Sequence, residues 1–301
     1  MNDKKLVTYC IFTYNQEEYV SEAIKSVFNQ TYFPLEIIIS DDCSTDDTFH
    51  VAEQIINEYK GEHKIILNRN KENMGIGAHL SMVYNSIATG EYLIGLGGDD
   101  LAKSNHAEYA VGKMEENFEV NLIDFNADMI NQNGELLSKR ELHFKLKKFS
   151  IDDYINLRSI QSFAPGRIIR RELLNSFNPI SKNCPTEDSV FVFRSLLTGG
   201  FIRINKSLVF YRKHDGNTSS SIGLSKLSNH AIFSQYLKDL LHFYDNGFID
   251  DIQFERVIKR LNFELANRKL KYSTLNKNWL SRLMEGLRVR ILRYTYKLTN
   301  Y

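Results

Sequence analysis

Two adjacent carboxylates, Asp99 and Asp100, follow a glycine pair in the segment Gly97-Gly98-Asp99-Asp100. Neighbouring like charges repel each other unless a cation or a helix N-terminus compensates them. Mg²⁺ and Mn²⁺ prefer carboxylate and phosphate oxygens, and a bound cation stabilises a departing diphosphate as a Lewis acid. The alternative is a turn in which Asp100 caps the next helix. The segment therefore predicts either a divalent-cation site or a helix cap.

A second acidic segment, residues 41–48, has the sequence Asp-Asp-Cys-Ser-Thr-Asp-Asp-Thr. Asp46 and Asp47 suit the first turn of a helix, where acidic side chains are favoured. That explanation does not extend to Asp41 and Asp42, which come directly after an apolar segment. A carboxylate there can accept the ring N–H of a pyrimidine base. The glycine and glutamate of an EF-hand calcium loop are missing, so we do not predict such a loop.

A third acidic pair, Glu187 and Asp188, opens an amphipathic segment after Pro185-Thr186. Thr186 as an N-cap, with acids in the first turn, would explain this pair without any chemistry.

Residues 211–214 have the sequence Tyr-Arg-Lys-His and precede a polar loop. His214 could bind a metal ion or a phosphate, and Arg212 or Lys213 could balance the charge of a diphosphate. A solvated basic strand end is the alternative.

The first hundred residues alternate between strand and helix patterns. Buried strands are predicted at 6–12, 35–40, 64–68 and 91–96. Core-facing helices are predicted at 17–30, 46–59 and 78–88. This alternation predicts an α/β fold with a parallel sheet that is covered on both faces and binds ligands at the carboxyl ends of its strands. Polar or glycine-rich sequence follows all four strands, so we expect it to lie at one edge of the sheet.

The pattern changes after about residue 105. The remaining predicted elements are strands at 120–125 and 128–138, a helix near 151–157, an extended segment at 167–169, a helix at 186–197 and a strand at 201–211. The second of these strands turns at Asn133-Gly134, a strong hairpin signal. From Ser225 onward the chain is predicted to be helical and increasingly basic.

The composition is that of an ordinary globular protein, with 43% hydrophobic and 25% charged residues. The three cysteines, Cys10, Cys43 and Cys184, lack the close spacing of a zinc site or a redox pair. We expect them to be reduced thiols of a cytoplasmic protein. We also expect no signal peptide, because a strand pattern begins at Leu6, and no membrane span, because no apolar run is long enough.

The charge is unevenly distributed, although the net charge is only +1. Residues 251–301 contain 12 Lys and Arg against 4 Asp and Glu, a local charge of +8. An apolar stripe along 280–298 suggests a helix that lies on an anionic membrane, at the inner face of the cell membrane. Packing on its own domain or in a homodimer fits almost as well. We do not predict nucleic-acid binding.

The motifs Thr-Tyr-Asn (13–15), Asp-Asp-x-Ser-Thr-Asp (41–46), Asn-x-Gly-x-Gly (73–77), Gly-Glu-Tyr (90–92) and Gly-Asp-Asp (98–100) occur in this order. This order resembles the family 2 inverting glycosyltransferases of the GT-A fold, over about residues 5–215. The resemblance implies a Rossmann-like, mostly parallel central sheet flanked by helices. It divides residues 1–220 into a nucleotide-sugar-binding half, 1–105, and an acceptor half, 106–220, followed by a helical basic extension, 221–301.

The resemblance also assigns roles to individual residues. Nucleotide-sugar contacts are expected from Thr13, Tyr14, Asn15, Glu17, Asp41, Asp42, Asn73, Gly75, Asp99, Arg212 and His214. The metal ligands are expected to be Asp99, Asp100 and His214. Asp188 corresponds to the catalytic base, and Glu187 would orient the acceptor or donor. An in-line displacement needs such a base to deprotonate the acceptor hydroxyl.

Two positions depart from the family pattern. Gly97 stands where the usual motif has its first carboxylate, and His79 stands where an arginine often follows the glycine-rich segment. We interpret His79 as an ordinary helix residue. The loss of a carboxylate at Gly97 implies one contact fewer to the ribose or the metal.

These observations predict an inverting transfer from a metal-bound nucleotide sugar, most simply a UDP-sugar with Mn²⁺ or Mg²⁺, to a lipid-linked or surface glycan of a bacterium. One alternative is a sugar-nucleotide pyrophosphorylase, which would need a glycine-rich basic loop after the first strand. Residues 13–17 there contain no glycine and no basic residue. The other alternative is a degenerate transferase that only binds a nucleotide sugar.

Overall fold

The computed structural model describes residues 4–214, 228–272 and 296. It contains a single mixed sheet with helices on both faces. The strands are β1 (Val7–Thr13), β2 (Leu35–Asp41), β3 (Lys64–Arg69), β4 (Tyr92–Gly97), β5 (Leu101–Ala102), β6 (Leu122–Ile130), β7 (Leu136–Lys139), β8 (Leu146–Phe149), β9 (Ile168–Arg170) and β10 (Phe201–Arg212). The helices are α1 (Val20–Phe28), α2 (Thr48–Glu58), α3 (Ile76–Ser86), α4 (His106–Glu116), α5 (Ile151–Ile155), α6 (Arg171–Asn175), α7 (Asp188–Leu197), α8 (Asn229–Asp245) and α9 (Asp251–Tyr272).

The strand order is β3-β2-β1-β4-β9-β6-β10-β5. Strands β1 to β4 are mutually parallel, and β9 is antiparallel to both β4 and β6. Strand β6 therefore runs in the same direction as β4, and β10 is parallel to β6. The short strands β7 and β8 pair with β6 and β10 respectively. The predicted mostly parallel sheet is confirmed, with one antiparallel strand inserted at its centre.

Several predicted boundaries were wrong. One continuous strand, β6, replaces the strand predicted at 120–125 and the first part of the one predicted at 128–138, whereas the hairpin to β7 turns at Gly134 as predicted, with a φ of 83°. Helix α1 begins at Val20 and not at Glu17, because the N–H of Tyr19 closes a turn onto the carbonyl of Gln16 at 2.9 Å. Helix α4 and the short strands β5 and β8 were not predicted.

The core has two apolar layers, one on each face of the sheet. Helices α1, α2 and α4 cover one face, and α3 and α7 cover the other together with α8. The rings of Phe193 on α7 and Tyr236 on α8 stack with centroids 4.7 Å apart. The described C-terminal helices therefore share the core of the α/β unit.

The C-terminal stripe at 280–298 lies outside the described residues, apart from Tyr296. The hydroxyl of Tyr296 donates to the carbonyl oxygen of Ile155 at 2.8 Å, and its ring lies 4.9 Å from that of Phe263. At this one position the tail contacts its own domain. Within the described ranges, every helix is too short or too polar to span a bilayer.

Candidate active site

The carboxyl ends of β1, β2 and β4 meet at one edge of the sheet. The parallel register places Thr13 opposite Asp41 and Phe12 opposite Gly97. The hydroxyl of Thr13 donates to Oδ1 of Asp41 at 3.2 Å. The segments that the sequence placed at a common edge are therefore neighbours, and they form the candidate site.

Asp41 is buried and contacts the protein through both carboxylate oxygens. Oδ1 accepts hydrogen bonds from the hydroxyls of Thr13 and Ser44, and Oδ2 accepts from the N–H of Ser44 at 2.9 Å. Nε of Arg69 lies 3.5 Å from Oδ2. These contacts join the ends of β1, β2 and β3, so in this structure Asp41 stabilises the arrangement of the strand ends around the site.

Asp42 holds the glycine-rich segment that leads into α3. Its Oδ1 accepts from Nδ2 of Asn70 at 2.7 Å and from the N–H of Met74 at 2.9 Å. Its Oδ2 accepts from the N–H of Gly75 at 2.9 Å, a donor that also reaches Oδ1 of Asn73. Gly75 has a φ of 76°, and a Cβ there would meet no atom within 4 Å. The start of α3 therefore borders open space.

The loop after β1 is fixed against the loop after β2. Asn15, at a φ of 52°, accepts from the N–H of Thr45 through Oδ1 at 2.9 Å. Oε2 of Glu17 accepts from the N–H of Asp47 at 2.8 Å. The side chain of Tyr14 is 44% exposed. Asn15 and Glu17 thus connect two loops, whereas Tyr14 offers a ring to a ligand.

The acidic turn after β4 is anchored to the end of β10. Oδ2 of Asp99 lies 2.9 Å from Nε2 of His214, and Oδ1 of Asp100 accepts from the N–H of Arg212 at 2.9 Å. Burial and the neighbouring Asp99 raise the pKa of Asp100 well above its usual value. Asp100 does not cap a helix, because α4 begins six residues later at His106. The helix-cap alternative for this pair was therefore wrong.

Because Gly97 has no side chain, there is space beside it, and the carboxylates of Asp99 and Asp100 both lie next to this space. A Cβ at Gly97 would lie 2.7 Å from Oδ1 of Asp99 and 3.7 Å from Oδ2 of Asp100. A side chain at this position would displace Asp99. Carboxylate oxygens in such an arrangement fit a divalent cation that also binds phosphate oxygens. Among the described residues, however, no three His, Cys, Asp or Glu side chains converge as a ligand set, so the predicted trio with His214 is not assembled.

Arg212 is only 1% exposed and uses its guanidinium within the protein. Nε donates to the carbonyl oxygen of Asp99 at 2.8 Å, Nη1 to that of Gln132 at 2.8 Å, and Nη2 to Oε2 of Glu22 at 2.6 Å. These contacts do not favour the predicted binding of the diphosphate. They fix the acidic turn to α1 and to the β6–β7 hairpin.

The pair Glu187-Asp188 lies at the N-terminus of α7. Glu187, and not Thr186, is the N-cap residue, and no side chain caps the helix, so the capping alternative was wrong. Burial and the adjacent Asp188 raise the pKa of Glu187 well above its usual value. Within the described residues, Oε2 of Glu187 has no hydrogen-bond partner. The side chain of Asp188 is 54% exposed and can reach a ligand.

Gly77 allows α3 to approach the segment before α7. A Cβ at Gly77 would lie 2.5 Å from the carbonyl oxygen of Cys184 and 3.3 Å from the main-chain nitrogen of Thr186. Glycine at this position therefore places the start of α3 directly against the residues that lead to Glu187 and Asp188.

Sequence reasoning missed two residues of the site region, Arg167 and Asp124, whereas His79 is a residue of helix α3 as the sequence indicated. Arg167 binds Asp124 through Nε at 2.6 Å and Nη2 at 3.1 Å, and its Nη1 donates to the carbonyl oxygen of Asp188 at 3.0 Å. The sequence did contain a signal for the Arg167–Asp124 pair, because Asp124 is a charged residue within the otherwise apolar start of β6. His79 is buried below the site, where Nε2 lies 2.6 Å from the hydroxyl of Ser40. Burial lowers the pKa of His79.

The fold is that of the GT-A glycosyltransferases. A sequence model of the family described as "Glycosyl transferase family 2" matches residues 8–177, more than half of the 301-residue chain. The protein belongs to this family.

Relatives of known sequence support the assignment. An uncharacterised glycosyltransferase of Methanocaldococcus jannaschii is 28% identical over 264 residues, which cover 85% of this chain and 88% of that protein. The poly(ribitol-phosphate) beta-N-acetylglucosaminyltransferase TarS of Staphylococcus aureus is 23% identical over 271 residues, covering 88% of this chain and 44% of that protein.

Solved structures share the fold. TarS in complex with UDP-GlcNAc superposes with a TM-score of 0.64 at 18% identity, covering 90% of this chain and 74% of that one. The mannosyltransferase PcManGT from Pyrobaculum calidifontis, solved with GDP-Man and Mn²⁺, gives a TM-score of 0.56 at 15% identity, covering 99% and 83%.

Proposed function

We propose that the protein transfers a sugar, with inversion, from a nucleotide sugar to a glycan or lipid-linked glycan of a bacterial surface polysaccharide. The observation that carries this proposal is the convergence of the Asp99 and Asp100 carboxylates beside Gly97, at the edge where Asp42 orders the start of α3. The relatives TarS, a poly(ribitol-phosphate) beta-N-acetylglucosaminyltransferase, and hyaluronan synthase of Pasteurella multocida have names that refer to a polymer, which supports a glycan acceptor. The abequosyltransferase RfbV of Salmonella typhimurium is a further relative that is named for sugar transfer.

The donor would lie along this edge. Tyr14 would stack on the base, Asp42 would lie near the nucleoside, and the N-terminus of α3 at Gly75 would favour the negative diphosphate. A UDP-sugar is the donor we propose, which is consistent with the UDP-GlcNAc complex of TarS. Asp41, Asn15 and Glu17 would act by positioning these loops.

A divalent cation would be held by Asp99 and Asp100 together with the donor's phosphate oxygens. His214, adjacent to Asp99, would contact a phosphate oxygen of the donor. The cation supplies positive charge that neutralises the leaving diphosphate. The Mn²⁺ in the PcManGT structure supports this assignment.

Asp188 would be the base. Its exposed carboxylate can accept the proton of the acceptor hydroxyl as that oxygen attacks the anomeric carbon. Burial and the adjacent Asp188 raise the pKa of Glu187, which favours its protonated form, and a protonated carboxyl can donate a hydrogen bond to the acceptor or donor. A single in-line displacement with such a base inverts the anomeric configuration.

A thermal-shift screen of nucleotide sugars, with and without Mn²⁺, tests the proposal, because a ligand selective for the folded state raises Tm. We expect at least one nucleotide sugar to raise Tm more with Mn²⁺ than without. Asp188→Asn should then abolish transfer while retaining donor affinity, whereas Glu53→Gln, an exposed change on α2, should alter neither. The proposal fails if no nucleotide sugar binds or is hydrolysed.

The same variant tests the alternative of a degenerate binding subunit, which would bind the donor but have no turnover for Asp188→Asn to remove. The pyrophosphorylase alternative has no support from the family match. An acceptor on a lipid carrier would place the reaction at the cytoplasmic face of the membrane, and this location stays a prediction.

A further inference from the structure

Arg203 on β10 has a buried guanidinium group, and some of its N–H donors make no hydrogen bond within the described part of the chain. Its side chain is 1% exposed, and Nη2 donates to Oδ1 of Asn126 at 2.6 Å. Nε and Nη1 have no hydrogen-bond partner among the described residues. Burial lowers the pKa of Arg203 to about 10, so the group stays charged at neutral pH. Burying a charged group whose N–H donors lack partners costs free energy of folding. The presence of such a group in the core therefore points to a ligand that binds these donors.

The carboxylate nearest in the sheet does not balance Arg203. Asp124 on β6 lies opposite Arg203 in the register of the two strands. Both of its oxygens bind Arg167, and Oδ2 also accepts the N–H of Phe163 at 2.8 Å. Within the described ranges, neither Arg203 nor the exposed Arg140 forms an ion pair with a carboxylate.

Phe163 lies between the two arginines that lack ion pairs. The centre of its ring is 4.5 Å from the guanidinium carbon of Arg140 and 5.1 Å from that of Arg203. Its main chain is held by Asp124, but its side chain is only partly buried. Rotation of this ring would open Arg203 toward Arg140 and would give up its edge contact with the ring of Tyr211, whose centre lies 5.8 Å away.

The cluster lies beside the proposed acceptor site. Arg203 and Asp124 occupy the face of the sheet opposite to that of their neighbours Ile202 and Ile123, whose side chains pack in the layer with α1 and α4. They therefore face the layer that contains α7. Arg167 connects the cluster to α7, because it binds both Asp124 and the carbonyl oxygen of Asp188.

We propose that Arg203 and Arg140 bind an oxyanion, a phosphate or carboxylate group, carried by the acceptor, and that the ring of Phe163 covers Arg203 until this group arrives. The proposal rests on the proposed function, in that it takes Asp188 to mark the acceptor side. Guanidinium groups bind planar or tetrahedral oxyanions through paired N–H donors, which are the groups Arg203 leaves unused. The acceptor is accordingly an anionic glycan.

Calorimetric titration with inorganic phosphate and, separately, with acetate tests this site. The protein is first saturated with UDP and Mg²⁺, so that the donor's phosphate site is occupied. Wild type should bind at least one of the two anions. Tighter binding of phosphate indicates a phosphorylated acceptor, and tighter binding of acetate indicates an acidic sugar.

Arg140→Gln should weaken anion binding about tenfold, the effect of losing one charge-assisted hydrogen bond. Lys145→Gln, an equally exposed charge change in the same segment, should leave the affinity within about twofold, because it lies outside the cluster. Phe163→Ala should strengthen binding, since it uncovers Arg203. Absence of anion binding in wild type, or equal losses in Arg140→Gln and Lys145→Gln, overturns the proposal. Failure of UDP to bind would instead count against the proposed donor site.

Discussion

Nη1 of Arg167 donates to the main-chain carbonyl oxygen of Asp188 at 3.0 Å and lies 4.0 Å from its Oδ1 atom. The same guanidinium is 5% exposed and binds both carboxylate oxygens of Asp124. One buried arginine therefore joins β6 in the sheet to the first residue of α7. The position of the proposed base depends on this side chain, although Arg167 itself is not placed to touch a substrate.

Arg167→Lys should lower kcat about 10-fold to 100-fold while leaving the donor Kd nearly unchanged. Lysine cannot hold the paired contact with Asp124 and the contact with Asp188 together, so the base loses its position. Steady-state kinetics and donor titration measure the two effects. Arg170→Lys is the matched control, because Arg170 is also a buried arginine of this region but contacts Val120, Tyr92 and Met114. Equal losses of kcat in both variants would contradict a positioning role.

Glu187→Gln should change how stability depends on pH. Burial and Asp188 raise the pKa of Glu187, so the folded chain binds this proton more tightly than the unfolded chain does. The contribution to stability is fully present below the unfolded pKa and is lost as pH rises toward the folded pKa. We expect the unfolding free energy of Glu187→Gln, relative to wild type, to increase from about pH 4.5 upward.

Urea unfolding at several pH values between about 4 and 8 measures this difference. Glu58→Gln, on the exposed end of α2 and without an ion pair among the described residues, should show a difference from wild type that does not vary with pH. A difference for Glu187→Gln that is equally constant across this range would show that folding does not raise the pKa of Glu187.

Gly77→Ala should lower kcat by displacing Glu187 and Asp188 from their positions in the site. The added Cβ would lie 2.5 Å from the carbonyl oxygen of Cys184, so α3 or the segment before Glu187 must shift. Gly112→Ala in α4 is the control, because no described atom outside the adjacent residues and the backbone of the same helix lies within 4 Å of its Cβ position. It should leave kcat unchanged and stabilise the protein by up to about 1 kcal/mol. Unchanged kcat in Gly77→Ala would show that the displacement does not reach the base.

Asp239→Ala should destabilise the protein by about 3–5 kcal/mol, because it leaves Arg194 buried without its partner. Asp239 on α8 accepts from Nε and Nη2 of Arg194 on α7 at 2.8 and 2.9 Å. Glu255→Ala breaks the exposed pair with Lys259 and should cost at most about 1 kcal/mol. Urea unfolding compares the two. Similar costs would mean that α8 does not support α7 through this pair.

The first half of the fold could be predicted from the sequence because its signals are local. Strands β1 to β4 are short apolar segments, the helices between them have a 3.6-residue period, and each polar segment follows its strand directly. The hairpin at Gly134 was predicted for the same reason, since the turn is specified by two adjacent residues. The extended segment predicted at 167–169 corresponds to β9, but its antiparallel place between β4 and β6 depends on partners far away in the chain.

The sequence by itself determined which segments carry the acidic and polar groups, and the strand order of a parallel sheet brought them to one edge. Only the tertiary structure decided what each side chain does there. Arg212 looked like a diphosphate ligand, but its guanidinium pairs with Glu22, 190 positions away. Asp41 looked like a base contact, but it holds three strand ends together. Hydrogen bonds and charges act over a few ångströms in space, and a linear pattern does not specify which distant groups the fold brings within that range.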